Sequence, residues 1–127
     1  MNVRHNPIPV APGFDAIYSH AVAVPCESRV LYVSGQIGRS GGDAAPASFE
    51  AQFRLAIANL NVVLAAAGMA IEDVVKLVFY LTRAADLKAL GEIRRELLAV
   101  APAVTTLVVS ELAASDLLVE VEATAAR

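Results

Sequence analysis

The 127-residue chain contains little of what disulfides and metal centres require. It has one cysteine, two histidines and no tryptophan, and only 18% of its residues are charged. A single cysteine, Cys26, cannot form an intrachain disulfide, which predicts a reducing, cytoplasmic location. With two histidines and no closely spaced set of ligand residues, we expect neither a metal site nor a cofactor.

An excess of positive charge and long apolar segments are also missing. The ten lysines and arginines are scattered along the chain and outnumbered by thirteen aspartates and glutamates, which gives a net charge of −3. Nucleic-acid binding relies on a basic surface that neutralises phosphates, so we expect no nucleic-acid partner. No apolar run approaches the ~20 residues that cross a bilayer, so we expect no membrane partner either.

Apolar residues, by contrast, are abundant and make up 57% of the chain. This balance excludes intrinsic disorder. A chain of this length can bury a core without metal or disulfide, and we expect one domain over residues 1–127 that begins with an extended arm at 1–16. A small and apolar chain is also expected to bury part of its surface against copies of itself.

The hydrophobic pattern predicts two helices and five strands. Helical periodicity covers 48–67, with Ser48 as the N-cap and Gly68 as the C-terminal stop, and returns over 86–98. Strands are predicted at 17–24, 29–34, 74–81, 103–109 and 117–125. We expect the first two strands to form an antiparallel hairpin around the turn that begins at Pro25.

Two of these strands are the most informative. The strand over 74–81 is almost continuously apolar, so we expect helices to cover one face and another surface to cover the second. In the last strand the odd positions from Leu117 to Ala125 are all apolar, while Glu120 and Glu122 project from the opposite face. The order β-β-α-β-α-β-β predicts an α+β domain with its helices on one face of a mixed sheet.

Several short motifs occur in an order and spacing that resemble the RidA/YjgF family, also called the endoribonuclease L-PSP family. They are Ser34-Gly35-Gln36, Gln52, Asn59, Ala66-Ala67-Gly68, Asp73-Val74-Val75-Lys76 and Glu120-Val121-Glu122-Ala123. The resemblance runs from Tyr18 to Ala125. It implies a chorismate-mutase-like fold and a homotrimer whose sheets line a central barrel, with small-molecule clefts between adjacent subunits.

The resemblance also implies a chemistry and a set of residues. The best-known branch of the family hydrolyses enamines and imines to 2-keto acids and ammonia, without a metal or a covalent nucleophile. Glu120 matches the carboxylate that handles water and protons, and Ser34 and Tyr18 match the cleft wall. The candidate substrate contacts are Gly35, Val104, Thr105, Thr106 and Arg39.

These residues also have plainer interpretations. Glu120 and Glu122 would be the solvated face of an edge strand, and Ser34 would satisfy backbone groups at a strand end. Tyr18 would be a core aromatic residue with its hydroxyl at the rim.

The cation that holds the substrate carboxylate in that branch is missing here. The branch reads Pro-Ala-Arg where this chain reads Pro102-Ala103-Val104. A buried valine cannot pair with a carboxylate, and leaving a charge unpaired is costly. Either Arg39, on the glycine-rich loop 38–42, replaces the missing cation, or the ligand is neutral or carries its charge elsewhere.

The sequence therefore predicts a homotrimer that binds a small metabolite between subunits and hydrolyses an enamine, an imine or a related C–N bond. We do not expect standard 2-imino-acid deamination, because Val104 replaces the arginine. The alternative is a trimer that binds a small molecule without catalysis. A third hypothesis, an endoribonuclease or translation inhibitor, is disfavoured by the acidic charge.

Overall fold

The computed structural model describes residues 1–7 and 17–127. The strands are β1 Val3–His5, β2 Ala21–Ala23, β3 Val30–Ile37, β4 Val74–Leu81, β5 Ala103–Val108 and β6 Val119–Ala126. The helices are α1 Phe49–Ala66 and α2 Leu87–Leu97. Four strands form one sheet in the order β3–β6–β4–β5, and the two short strands β1 and β2 form a separate ribbon.

The sheet is mixed and one of its faces is covered by the helices, as predicted for the α+β class. Strand β6 pairs antiparallel with β3 and β4, whereas β4 and β5 are parallel. Phe53 of α1 contacts Phe79 of β4 edge to face, with ring centroids 5.7 Å apart. The core between helices and sheet includes the fully buried residues Phe53, Leu60, Leu64, Leu77, Phe79, Val119 and Val121.

The ends of α1 follow the predicted capping residues. The hydroxyl of Ser48 accepts a hydrogen bond from the Ala51 amide at 3.1 Å, which satisfies one of the free N–H groups of the first turn. After the helix, Gly68 has a φ of +68°, a conformation that costs glycine little and other residues more. Both predicted signals are confirmed.

The predicted hairpin is wrong. Strand β2 pairs with β1, with Val3 opposite Ala23, and β3 pairs with β6 instead. Pairing with β6, where Ala123 lies opposite Val33, places the alternate side chains of β3 against the core beneath α1. The strand β1 lies within the predicted arm 1–16; the rest of that prediction, residues 8–16, falls outside the described residues.

The alternation predicted for the last strand is confirmed, and it divides the sheet into two different faces. In β6 the odd-numbered side chains from Val119 to Ala125 are buried, whereas Glu120 is half-buried and Glu122 is exposed. In β4 the side chains of Lys76, Val78 and Tyr80 lie on that second face and are only partly buried. The second cover expected over β4 is not supplied by the described residues of this chain.

Two side-chain amides of α1 hold the loop that follows β3 and the segment that precedes β6. Gln52 is fully buried, and its Nε2 donates to the carbonyls of Pro46 and Asp116 at 2.7 and 2.8 Å. Its Oε1 accepts from the Leu118 amide at 2.8 Å, so the whole amide group is satisfied. Asn59 donates to the carbonyls of Ile37 and Arg39. These bonds tie the segments that leave β3 and enter β6 to one helix.

We expect Gln52→Leu to lower the free energy of unfolding by about 2 to 4 kcal/mol, because a buried amide and two carbonyls lose their partners. Asn61→Leu is the control, since Asn61 is exposed on the same helix and should change stability by less than about 0.5 kcal/mol. Urea denaturation measures both. Equal effects of the two substitutions would contradict the role of Gln52.

Candidate functional site

A β-bulge interrupts β3 at Ser34 and Gly35. Val33 lies opposite Ala123 and Gln36 lies opposite Val121, so three steps along β3 match two steps along β6. An extra residue of this kind bends the strand and redirects the side chains that follow it. Ser34 is exposed at the bulge, on the face of the sheet that the helices leave open.

The carboxylate of Glu120 lies against the backbone of Gly35. A Cβ atom on residue 35 would stand 1.7 Å from Oε1 of Glu120 and 2.6 Å from its Cδ. Any residue other than glycine would therefore displace this carboxylate. Three of the predicted site residues, Ser34, Gly35 and Glu120, thus belong to one place on the open face.

Tyr80 and Glu122 adjoin Glu120 on the same face. Tyr80 lies directly opposite Glu120 in the β4–β6 ladder, and its hydroxyl donates to Oε2 of Glu122 at 3.3 Å. Burial and the carboxylates of Glu122 and Glu120 raise the pKa of Tyr80, so the phenol keeps its proton. The open face therefore presents carboxylates beside a hydroxyl donor.

A second group of predicted residues gathers at the start of β5. The Ser19 amide donates to the Pro102 carbonyl at 2.8 Å, its hydroxyl donates to Ala101 at 2.6 Å, and Ser19 pairs with Ala103 in an isolated bridge. This parallel pairing sets Tyr18 beside the residues that lead into β5. The Tyr18 ring also meets the His20 ring edge to face, at 5.3 Å.

The candidate residues of β5 divide between the two faces of the sheet. Val104 lies opposite Leu77 and packs against the core, and Thr106 lies opposite the buried Phe79. Thr105 is on the open face, where its hydroxyl accepts from Lys76 Nζ at 2.8 Å. Within one chain, Val104 and Glu120 therefore project from opposite faces of the sheet.

Arg39 lies on the loop that follows β3. Its guanidinium forms an ion pair with Asp116 at 2.6 Å. The backbone amide of Ala45 and the guanidinium of Arg39 hold the pKa of Asp116 below its usual value. Arg39 thus joins the glycine-rich loop to the segment that precedes β6.

Arg94 is the residue that the sequence analysis missed. Leu87, Leu90, Ile93 and Leu97 have the spacing of one apolar face of α2, which predicts that they are buried, yet Leu87 is 43% exposed whereas Arg94 is only 8% exposed. A signal was available, because Arg94 follows Leu90 by four residues and precedes Leu97 by three, the spacing of one helical face.

Two of the cavities in the described part of the chain bear on the candidate residues. The larger, of about 350 Å³, is lined by residues of β1, β2, the turn before β4 and the C-terminus, and contains none of the predicted site residues. The smaller, of about 270 Å³, is lined by Ile17, Arg94, Arg95 and Leu98, and lies beside the Tyr18 segment. The second cavity therefore adjoins the group around β5.

A family model described as endoribonuclease L-PSP matches residues 9–127. The chain belongs to this family, also called RidA/YjgF. A solved structure of the Rid-family protein YyfB from Yersinia pestis has a TM-score of 0.86 and 32% identity, covering 98% of this chain and 97% of its own. RidA from an Antarctic Psychrobacter species has a TM-score of 0.72 and 30% identity, over 91% of this chain and 90% of its own.

Two curated proteins are also similar to parts of this RidA/YjgF-family chain. The rat 2-iminobutanoate/2-iminopropanoate deaminase is 38% identical over 85 residues, which are 65% of this chain and 60% of the deaminase. The mitochondrial protein mmf2 of Schizosaccharomyces pombe is 36% identical over 69 residues, 54% of this chain and 55% of its own length. The matches thus span somewhat more than half of each relative.

Two properties of the described residues bear on the expected partners. Among residues 1–7 and 17–127, no three or more His, Cys, Asp or Glu side chains are grouped so that they could hold a metal ion. In the same part of the chain, no helix is both long and apolar enough to span a membrane.

We expect Gly35→Ala to displace the Glu120 carboxylate at a cost of about 1 kcal/mol, because the new methyl group would overlap a flexible side chain. The backbone of Gly35 does not adopt a positive φ. The cost therefore comes from the contact between the new methyl group and the Glu120 carboxylate. Glu120→Ala should remove most of that cost, and a double-mutant cycle by thermal unfolding measures the coupling.

Gly91→Ala is the matched control for this cycle, because a Cβ there meets nothing within 4 Å. In the helix interior it should stabilise the protein by about 0.5 to 1 kcal/mol, whatever residue stands at position 120. If Gly35→Ala cost the same with and without the Glu120 side chain, the contact would not explain the glycine.

Proposed function

We propose that this chain forms a homotrimer through the open face of its sheet. That face carries several exposed apolar side chains in place of a second layer of helices: Val30, Tyr32 and Leu107 are 41%, 81% and 46% exposed, and Val78 lies among them. Burying such a patch is strongly favourable. Membership of the RidA/YjgF family supports assembly into trimers with clefts between subunits.

The division of the predicted residues between two faces supports a site shared by two subunits. One subunit would contribute Glu120, Gly35 and Ser34 from its open face. The adjacent subunit would contribute Tyr18 and the start of β5, including Val104. Within one chain the sheet separates Val104 from Glu120, so these two residues face the same cleft only if they come from different subunits.

The reaction that we propose is hydrolysis of an enamine, an imine or a related C–N bond. The observation that carries it is the Glu120 carboxylate, held half-buried against Gly35. Glu120 would take a proton from water as the water oxygen attacks the C=N carbon, and would pass that proton to the nitrogen to give a carbinolamine. The hydroxyl proton of the carbinolamine would then move through Glu120 to the nitrogen as the C–N bond breaks, which leaves a C=O product and ammonia. The similar rat protein is named as an imine deaminase.

The bound ligand is proposed to differ from that of the standard 2-imino-acid deaminases. Val104 replaces the arginine of that branch, and Arg39 is held by Asp116, which weighs against its use as a replacement. A trimer that only binds a metabolite is the alternative, and the net charge of −3 disfavours an RNA substrate. The expected location is the cytoplasm, because one cysteine excludes an intrachain disulfide.

Light scattering should give a mass of roughly three times the chain's 13.3 kDa. Val78→Glu should dissociate the assembly, because it places another carboxylate on the open face, directly opposite Glu122. Val62→Glu is the matched control, since Val62 is 69% exposed on α1 and lies away from the sheet. A monomeric wild-type chain would contradict the proposed assembly.

Imine hydrolysis can be followed with 2-imino acids generated in solution from amino acids, with neutral imines, and with imines whose carboxylate lies farther from the C=N bond. We expect slow turnover of 2-iminobutanoate and faster turnover of at least one imine from the last two groups, because Val104 offers no cation to a carboxylate beside the C=N bond. Glu120→Gln should lower that rate by roughly 100-fold or more, because an amide cannot act as the base.

Glu122→Gln is the control for charge, because Glu122 lies on the same face of the same strand. It should retain the wild-type rate and the trimer. Turnover of 2-iminobutanoate at the same rate as other imines would contradict the argument from Val104. No turnover of any imine would favour the binding trimer.

A further inference from the structure

Arg94 is a buried guanidinium in an unusual setting. It lies in the last turn of α2 and is 8% exposed. One of its amino groups donates to the Ile17 carbonyl. Its Cζ lies 5.5 Å from the centre of the Phe79 ring, a cation–π distance. The Ile17 carbonyl, the face of the Phe79 ring and the carboxyl end of helix α2 each carry only a partial negative charge.

No carboxylate within residues 1–7 and 17–127 forms an ion pair with Arg94, whereas other arginines do have such partners. Arg39 pairs with Asp116, and Arg54 bonds to Glu96 at 2.8 Å. Burial, with a smaller contribution from Arg95, lowers the pKa of Arg94, yet an arginine stays protonated in proteins. The buried positive charge therefore lacks a full negative counterpart in the described chain.

The guanidinium also lines the cavity of about 270 Å³ beside Tyr18. Two arginines, Arg94 and Arg95, give this cavity a positive lining, and Ile17 and Leu98 give it an apolar one. A guanidinium has five N–H donors in a planar fork that matches a carboxylate. We propose that this cavity binds a small organic carboxylate, with Arg94 as its cationic anchor and the apolar side chains around its carbon skeleton.

The position of the cavity connects it with the missing cation. The segment that carries Tyr18 binds Arg94 through the Ile17 carbonyl, and binds the start of β5 through Ser19. Arg94 and Ala103, the residue before Val104, therefore both contact the same short segment. If the bound carboxylate is the substrate, the inference rests on the proposed function, and helix α2 would supply the positive charge that position 104 lacks. Binding of a carboxylate in this cavity does not itself require that the protein catalyse a reaction.

Isothermal titration with benzoate and propanoate, and with the neutral benzamide and propanamide, tests the site on the assembled protein. The wild type should bind the carboxylates and prefer them to the amides by roughly 10- to 100-fold, the range expected for a charge-assisted pair. Arg94→Met should remove this preference. Arg94→Lys should keep part of it, because the charge remains while the fork is lost.

Lys88→Gln is the control, because Lys88 is an exposed cation on the same helix and pairs only loosely with Glu92, at 4.0 Å. It should bind carboxylates as the wild type does. Equal affinity for carboxylates and amides, undiminished carboxylate binding by Arg94→Met, or no carboxylate binding by the wild type would each overturn the proposal. If Arg94→Met failed to fold, Arg94→Lys would decide, since full wild-type affinity in that variant would contradict bidentate binding.

The two proposals fail in different experiments. Loss of carboxylate preference in Arg94→Met, with imine turnover that does not depend on Glu120, would support the anion site and reject the reaction. Turnover that depends on Glu120, with carboxylate binding that does not depend on Arg94, would reject the anion site alone.

Discussion

The alternation of side chains in β6 is the constraint on which the rest of the structure depends. This strand lies in the middle of the sheet, between β3 and β4, and its odd-numbered side chains are buried beneath the helices. Because successive side chains point to opposite faces, burying Val119 and Val121 obliges Glu120 to project from the other face. One apolar stripe therefore fixes both the core and the position of the candidate carboxylate.

The bulge in β3 gives that carboxylate its local setting. An extra residue at Ser34-Gly35 brings backbone without a side chain under Glu120, so that a charged group lies close to the strand while half-exposed. The loop that follows is held to α1 by Asn59, and the segment entering β6 by Gln52. Helix α1 thus supports the candidate site although it covers the opposite face of the sheet.

Positive charge is distributed unevenly between the surface and the interior. Arg39, Arg54 and Arg83 lie at least partly in solvent and pair with carboxylates, where such pairs contribute little to stability. Arg94 is buried, without a carboxylate partner among the described residues, so its charge has larger consequences. A cation on α2 and an aliphatic residue at position 104 together fit a site whose anchor comes from a helix and not from a strand.

Periodicity determined a large part of this protein from the sequence alone: both helices, the caps at Ser48 and Gly68, and the two faces of β6. These features depend on neighbours a few residues away, and a local pattern records them. Tertiary structure alone decided that β2 pairs with β1, that Gly35 lies under Glu120, that Val104 and Glu120 point to opposite faces, and that Arg94 is buried. Each of these depends on contacts between distant segments, and a pattern within one segment does not specify which distant segment will pack against it.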